Sequence, residues 1–273
     1  MKLAAMLLCP VIVTLTVMPF LIQSVVATEQ AQSATIATDQ VKIQTQFAQL
    51  VRGEPGKEYP DYKVAKIQYP QVSGLEDPVV LGKVQDAIGL KAVFGQSLEE
   101  MRQEFQTYWW LSEISYKVNY NQNGLLDLTF TRSGLGAYPS FQDVHVVVDL
   151  RTGKRLTAAD LFKPDALPQV VALVNAALES RVQTRIAELR SDGVEAVPQL
   201  KQASFQPEDL GQFSVSDRGI TFFYEYELPH AIKAMEPSGR FFFTYDQLQP
   251  YLQPEGALAL VLRSPEALRN QAR

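Results

Sequence analysis

The sequence predicts an α+β fold: antiparallel sheet or sheets with helices packed on one face, in two intimately joined halves. Three observations lead there. Stretches that alternate with period two and stretches with helical spacing segregate along the chain rather than alternating strictly. Turn chemistry at Gly53-Glu-Pro-Gly-Lys57, Asn123-Gly124 and Asp217-Arg-Gly219 separates strand-like stretches, as antiparallel neighbours require. With 46% apolar residues in 273, the chain is large enough to fold on its core alone.

The elements follow in order. Met1-Lys2 is a small basic start, and residues 3–22 are almost wholly apolar, broken by Pro10, Thr14, Thr16 and Pro19. Ser24-Val-Val-Ala27 then has the small and β-branched side chains of a leader cleavage site, so residues 1–27 read as a signal peptide cut after Ala27. The competing reading is a retained anchor, since roughly 18 apolar residues span a bilayer. Cys9, the one cysteine, lies inside this stretch, so a cleaved chain has no disulfide, zinc–thiolate site or cysteine nucleophile. A net charge of −5 argues against nucleic acid as a partner.

Residues 28–40 are polar and aperiodic, a flexible N-terminus. Val41, Ile43, Thr45 and Phe47 fall on one face of a strand; a second strand, alternating from Tyr62, ends at Tyr69-Pro70. Asp77 with Pro78 opens a helix whose stripe is Val80, Leu81, Val84 and Ile88. Ser97-Leu-Glu-Glu100 is a capping box for another. Ile114, Tyr116, Val118 and Tyr120 alternate into the Asn123-Gly124 turn, and Leu126, Leu128 and Phe130 return. Residues 144–150 form a nearly continuous apolar strand, residues 149–154 a turn and residues 156–162 a short helix. The longest amphipathic helix covers residues 165–189, with Arg181, Arg185, Glu188 and Arg190 on its solvated side. Residues 191–208 read as a polar, partly disordered loop. A hairpin follows (213–215 and 220–227), then a strand at 240–245, a short helix capped by Asp246, and a closing strand at 258–262.

Three motifs carry a family resemblance. Ile67-Gln-Tyr-Pro-Gln-Val-Ser-Gly74 precedes a helix; residues 126–162 contain Gly134-Leu-Gly-Ala-Tyr-Pro-Ser-Phe141; Tyr245-Asp-Gln-Leu248 with Tyr251-Leu252 closes the pattern. In order and spacing they resemble the secreted domain of unknown function (DUF) 3298 with its N-terminal companion segment, as in the extracellular part of the lysozyme-sensing anti-sigma factor RsiV and the N-terminal part of the peptidoglycan deacetylase PdaC. The resemblance implies a companion segment at 41–110, an RsiV-like C-terminal domain at 111–255, and a closing strand and tail at 256–273. The family's loop commonly reads glycine-glycine-alanine-histidine-proline. Here it is Leu135-Gly-Ala-Tyr-Pro139, so a role resting on that histidine is not expected. Only Met1-Lys2 stands before the apolar stretch and no catalytic domain follows the resembling region, so neither an anti-sigma role nor a deacetylase activity is expected.

Candidate chemistry is sparse. His145 and His230 are the only histidines, and no spacing converges metal ligands from one helix. His145 alternates with valines and reads as a sheet-face residue. No glycine-x-serine-x-glycine elbow occurs, and Ser133-Gly134 and Ser238-Gly239 read as turn pairs. Gly134-Leu-Gly136 lacks the third glycine of a phosphate loop. Asp143 and Asp149 share a strand face, a conceivable glycosidase-type pair, although Asp149 equally begins the turn that follows. The aromatic runs Tyr108-Trp-Trp110, Phe222-Phe-Tyr-Glu-Tyr226 and Phe241-Phe-Phe243 read as core. Tyr138, Pro139 and Phe141, in a glycine-flanked loop, are the candidate ligand-binding residues, against the commoner outcome of a loop buried on the sheet.

These readings describe an exported, non-catalytic protein of the cell envelope, periplasmic or secreted, binding or sensing a cell-wall fragment or an envelope protein. No cofactor and no nucleic acid are expected, and membrane contact only through a retained leader. The alternative is a carboxylate-dependent envelope hydrolase, which requires two acidic side chains facing each other in a cleft.

Overall fold

A computed structural model describes residues 40–52, 63–107, 110–136, 138–195 and 198–264. The leader and its cleavage after Ala27 lie outside them.

The first half begins with a ribbon, β1 (Lys42–Val51) and β2 (Val64–Ser73), paired antiparallel in unbroken register. Three helices follow: α1 (Pro78–Ala87), α2 (Leu90–Phe94) and α3 (Leu98–Thr107). Asp77 accepts from the amides of Val79 and Val80, and Ser97 and Glu100 bond reciprocally, so both helix starts are where the caps predict. The chain then re-enters the sheet as β3 (Leu111–Gln122), β4 (Leu125–Leu135) and β5 (Pro139–Asp149), with the two-residue β6 (Lys154–Arg155) at the edge. The order is β1-β2-β3-β4-β5-β6. One junction is parallel, β2 against β3 at Lys66–Ile67, because three helices carry the chain back to the end it left.

The second half starts with α4 (Ala158–Leu161) and the 25-residue α5 (Leu167–Ser191). After α6 (Pro198–Lys201) comes a three-stranded sheet of β7 (Phe213–Val215), β8 (Gly219–Phe223) and β9 (Arg240–Thr244), then α7 (Tyr245–Leu248) and α8 (Ala259–Leu262).

The six-stranded sheet is covered on both faces. Leu126, Leu128 and Phe130 of β4 and Val144, Val146 and Val148 of β5 pack with Val84, Ile88 and Val93 of the first helices. On the opposite face Leu125 and Val147 join a core with α5 and the second sheet, where Phe222, Phe241 and Phe243 are buried. This is why residues 144–150 are apolar at almost every position: both faces of that strand are inside.

Several expectations change. Phe47 is 74% exposed rather than buried beside Ile43. The ribbon buries Leu50, Ala65 and Ile67 against α3, whereas Val41 and Val72 on its other face meet α1. Twist exchanges the buried face midway, and Phe47 falls on the outer side of the exchange. The second strand does not stop at Pro70, which lies past the short stretch where β3 pairs with β2, so its missing amide removes no bond between those two strands. Ser133 and Gly134 are strand residues, not a turn. Gly134 has no side chain because a Cβ there would stand 2.4 Å from the Trp110 carbonyl and 2.5 Å from its ring. Residues 191–208 contain α6 and bury Leu200 and Phe205 completely. Arg181 and Arg185 leave the solvated side to donate to the carbonyls of Ser238, Arg240, Ala234 and Met235. Thr244, not Asp246, caps α7. The closing strand is a helical turn: the run at 257–262 buries Leu258 and Val261, three apart, and a short apolar run carries no period of its own.

Candidate functional site

β5 organises the site. Its odd-numbered residues share one face, and along that face the environment passes from water to core. Phe141 is 67% exposed, Asp143 is exposed, His145 is 7% exposed and Val147 lies within the core. The strand outruns the second sheet, so its outer half forms one wall of a cleft whose other wall is the end of β8 and the start of β9. The cavity there has a volume of 270 Å³ and is lined by Phe141, Asp143, His145, Gln212, Phe223 and residues 224–226, closed by Glu236, Pro237, Gly239 and Arg240.

Rings form its floor. His145 stacks on Phe223 with centroids 3.5 Å apart and planes 9° from parallel. The Arg240 guanidinium stands 5.4 Å from the Phe223 centroid, a cation–π distance. Burial pushes His145 down to about 4, opposed by Asp143 and reinforced by Arg240, so its ring is neutral near pH 7. Its amide donates to Gln212 Oε1 at 3.3 Å, and its Nδ1 shares a hydrogen bond with Thr129 Oγ1 at 3.0 Å.

Behind the cleft this bond joins a buried polar chain. Asn119 Nδ2 donates both to Thr129 Oγ1 and to Asp127 Oδ1; Asp127 Oδ2 accepts from Ser214 Oγ at 2.5 Å and from the Val215 amide at 2.6 Å. Asp127 lies fully inside, between the two sheets, and burial raises its pKa against the pull of those bonds. It is tied to structure, with no oxygen facing the cleft.

The three candidate ligand residues separate. Phe141 lines the cleft. Tyr138, 59% exposed, sits at the hairpin tip and stacks on His230 with centroids 4.3 Å apart. Pro139 pairs with Leu135 at the start of β5 and is exposed. The loop is therefore the end of a hairpin that projects its rings, not one buried on the sheet. Asp149 bonds the Arg151 amide and guanidinium at the far end of β5. Six residues at roughly 3.3 Å each put it about 20 Å from Asp143, well beyond a glycosidase pair. Among the described residues, no group of three His, Cys, Asp or Glu side chains is placed to hold a metal ion.

Sequence reasoning missed Gln212, Glu236 and Arg240, which stand in unrelated segments and carry no local signal. Asp127 did have one: a carboxylate within Leu125-Leu-Asp-Leu128, where alternation alone would place an apolar residue inside.

No family model matches the sequence, and no curated protein does. Solved structures do. A DUF3298 family protein from Pseudomonas aeruginosa PAO1 superposes with a TM-score of 0.60 at 14% identity, covering 80% of this chain and 96% of its own. A second DUF3298 family member, from Bacteroides fragilis, gives 0.54 at 14% identity, covering 82% and 97%. The chain thus has the DUF3298 fold.

Proposed function

We propose that this chain is an exported, non-catalytic module of the cell envelope that binds or senses a cell-wall fragment, and that the fragment enters the cleft of Phe141, His145 and Phe223. The observation that carries this is the exposed Phe141 ring at the mouth of a 270 Å³ cavity, with Asp143 and Gln212 beside it. An open aromatic face next to planar polar groups suits a sugar ring, which stacks its C–H face and bonds its hydroxyls sideways. The volume lies just below the roughly 300 Å³ at which small-molecule sites begin, which favours one ring or a short appended peptide over a long polymer. The leader-like residues 1–27 and the resemblance to envelope domains support the location. Among the described residues, no helix is long and apolar enough to cross a membrane. The non-catalytic part of the reading is supported by Asp127, whose pKa burial raises, being enclosed away from the cleft; a hydrolase would have to draw on the cleft carboxylates Asp143, Glu225 and Glu236.

The test is calorimetric titration with soluble peptidoglycan fragments, paired with Phe141→Ala. Micromolar-to-millimolar binding that weakens about ten-fold in the variant is expected, the value of one aromatic stack. Absence of heat with every fragment, or equal affinity in the variant, overturns the assignment.

A further inference from the structure

We infer that the cleft selects fragments bearing a protonated amine. This rests on the cleft being the binding site and adds the ligand's charge.

Three carboxylates line the cavity, Asp143, Glu225 and Glu236, against one cation, Arg240. Asp143 commits one oxygen to the Thr131 hydroxyl at 2.7 Å, and Glu236 commits one to the Leu228 amide at 3.1 Å. None of the three belongs to an ion pair among the described residues. Asp143 and Glu225 are exposed and Glu236 is half-buried, so the remaining oxygens are acceptors open to a ligand that enters the cleft.

A second observation is independent of charge. Tyr226, on the cleft wall, is 8% exposed, and its buried hydroxyl has no hydrogen-bond partner. Burial pushes this phenol up to about 12, opposed by the nearby Arg181 guanidinium and reinforced by Tyr224 and Glu236, so the group stays protonated with its oxygen lone pairs unused. An ammonium brings three donors and no acceptor, matching free carboxylate oxygens and a phenol oxygen. The rings complete the match, since Phe223 already holds the Arg240 guanidinium over its face and Phe141 presents another face to water. An anionic fragment would meet three like charges, and a neutral one would leave the carboxylates without a counter-charge.

The experiment uses the full chain and two probes: a disaccharide-peptide of peptidoglycan with a free side-chain amine, and the same molecule acetylated on that amine. The free amine should bind at least about five-fold more tightly, with the difference shrinking as salt rises. Asp143→Asn with Glu236→Gln should weaken the amine form about ten-fold, two- to five-fold per carboxylate, and the acetylated form by distinctly less, so that the gap between the two probes narrows. Arg240→Gln should tighten the amine form, a direction that mere damage to the fold would not produce. Equal affinity for the two probes overturns the amine inference while leaving the cleft reading intact; binding of neither overturns both.

Discussion

Asp127 offers the sharpest test of how the two halves are joined. It is fully buried, and its carboxylate accepts from Asn119 Nδ2 at 3.0 Å, Ser214 Oγ at 2.5 Å and the Val215 amide at 2.6 Å. Asp127→Ala leaves three donors inside the interface between the sheets. At about 1–3 kcal/mol for each orphaned group, the gross loss is about 3–9 kcal/mol. Removing a desolvated charge returns part of that, leaving a net loss of about 3 kcal/mol. This is a large share of the roughly 5–15 kcal/mol that holds a domain together. With a urea slope of about 2 kcal/mol/M, the unfolding midpoint should fall by about 1.5 M. Asp127→Asn should fall between the two, because the amide turns a donor toward one of the three donors that face it. The pH dependence carries its own sign. Burial raises the folded pKa above the unfolded one, so between the two values the folded state binds the extra proton. Stability contributed by this group is therefore greatest below its unfolded pKa and declines as pH rises through the raised folded value. Asp127→Asn should flatten that decline. A midpoint for Asp127→Ala within about 0.3 M of wild type, or a slope unchanged in Asp127→Asn, would refute the argument that this carboxylate latches the sheets.

Two further outcomes follow from the same geometry. Gly134→Ala forces a methyl against the backbone and ring of Trp110, so a loss of about 1–3 kcal/mol and a changed near-ultraviolet signal are expected; thermal unfolding of the variant decides it. His145, held down to about 4, should titrate by NMR well below the usual histidine midpoint. Between its unfolded pKa near 6.5 and that value the unfolded chain takes up a proton the folded chain refuses. This contribution therefore costs stability as pH falls from 6.5 toward 4, by about 3 kcal/mol at most, and His145→Phe should remove it. A His145 midpoint near 6.5 would show that the Phe223 stack does not exclude water.

Much of the architecture was legible because local chemistry dictated it. Asp77-Pro78 and the Ser97/Glu100 pair start helices wherever they stand, since capping satisfies amides within one turn of chain. Asn123 and Gly124 take positive φ, 54° and 73°, and so make the hairpin between β3 and β4. Where the sequence misled, the deciding partner lay far along the chain. Phe47 alternates correctly, yet which face is buried depends on how the ribbon twists between α1 and α3. Arg181 has the helical position of a solvated residue, and only the return of the chain at 238–240 gives it carbonyls to hold. The apolar run at 257–262 fits strand or helix equally until its neighbours are in place.

The candidate site divides the same way. Phe141 was visible as an aromatic residue on a glycine-flanked stretch, and the hairpin does project it to solvent. Its companions come from segments about 70 to 100 residues away, chosen by where β5 outruns the second sheet. By itself the sequence determined the class of fold, the starts of α1 and α3 and the central hairpin, because those follow from backbone amides, φ angles and side-chain periods a few residues long. Only the tertiary structure decided which strand faces are dry, that Asp127 ties one sheet to the other, and that a histidine, a phenylalanine and three carboxylates surround one cleft. Burial and charge at a point in space are sums over everything nearby, and nearness in a folded chain is not written at any single position.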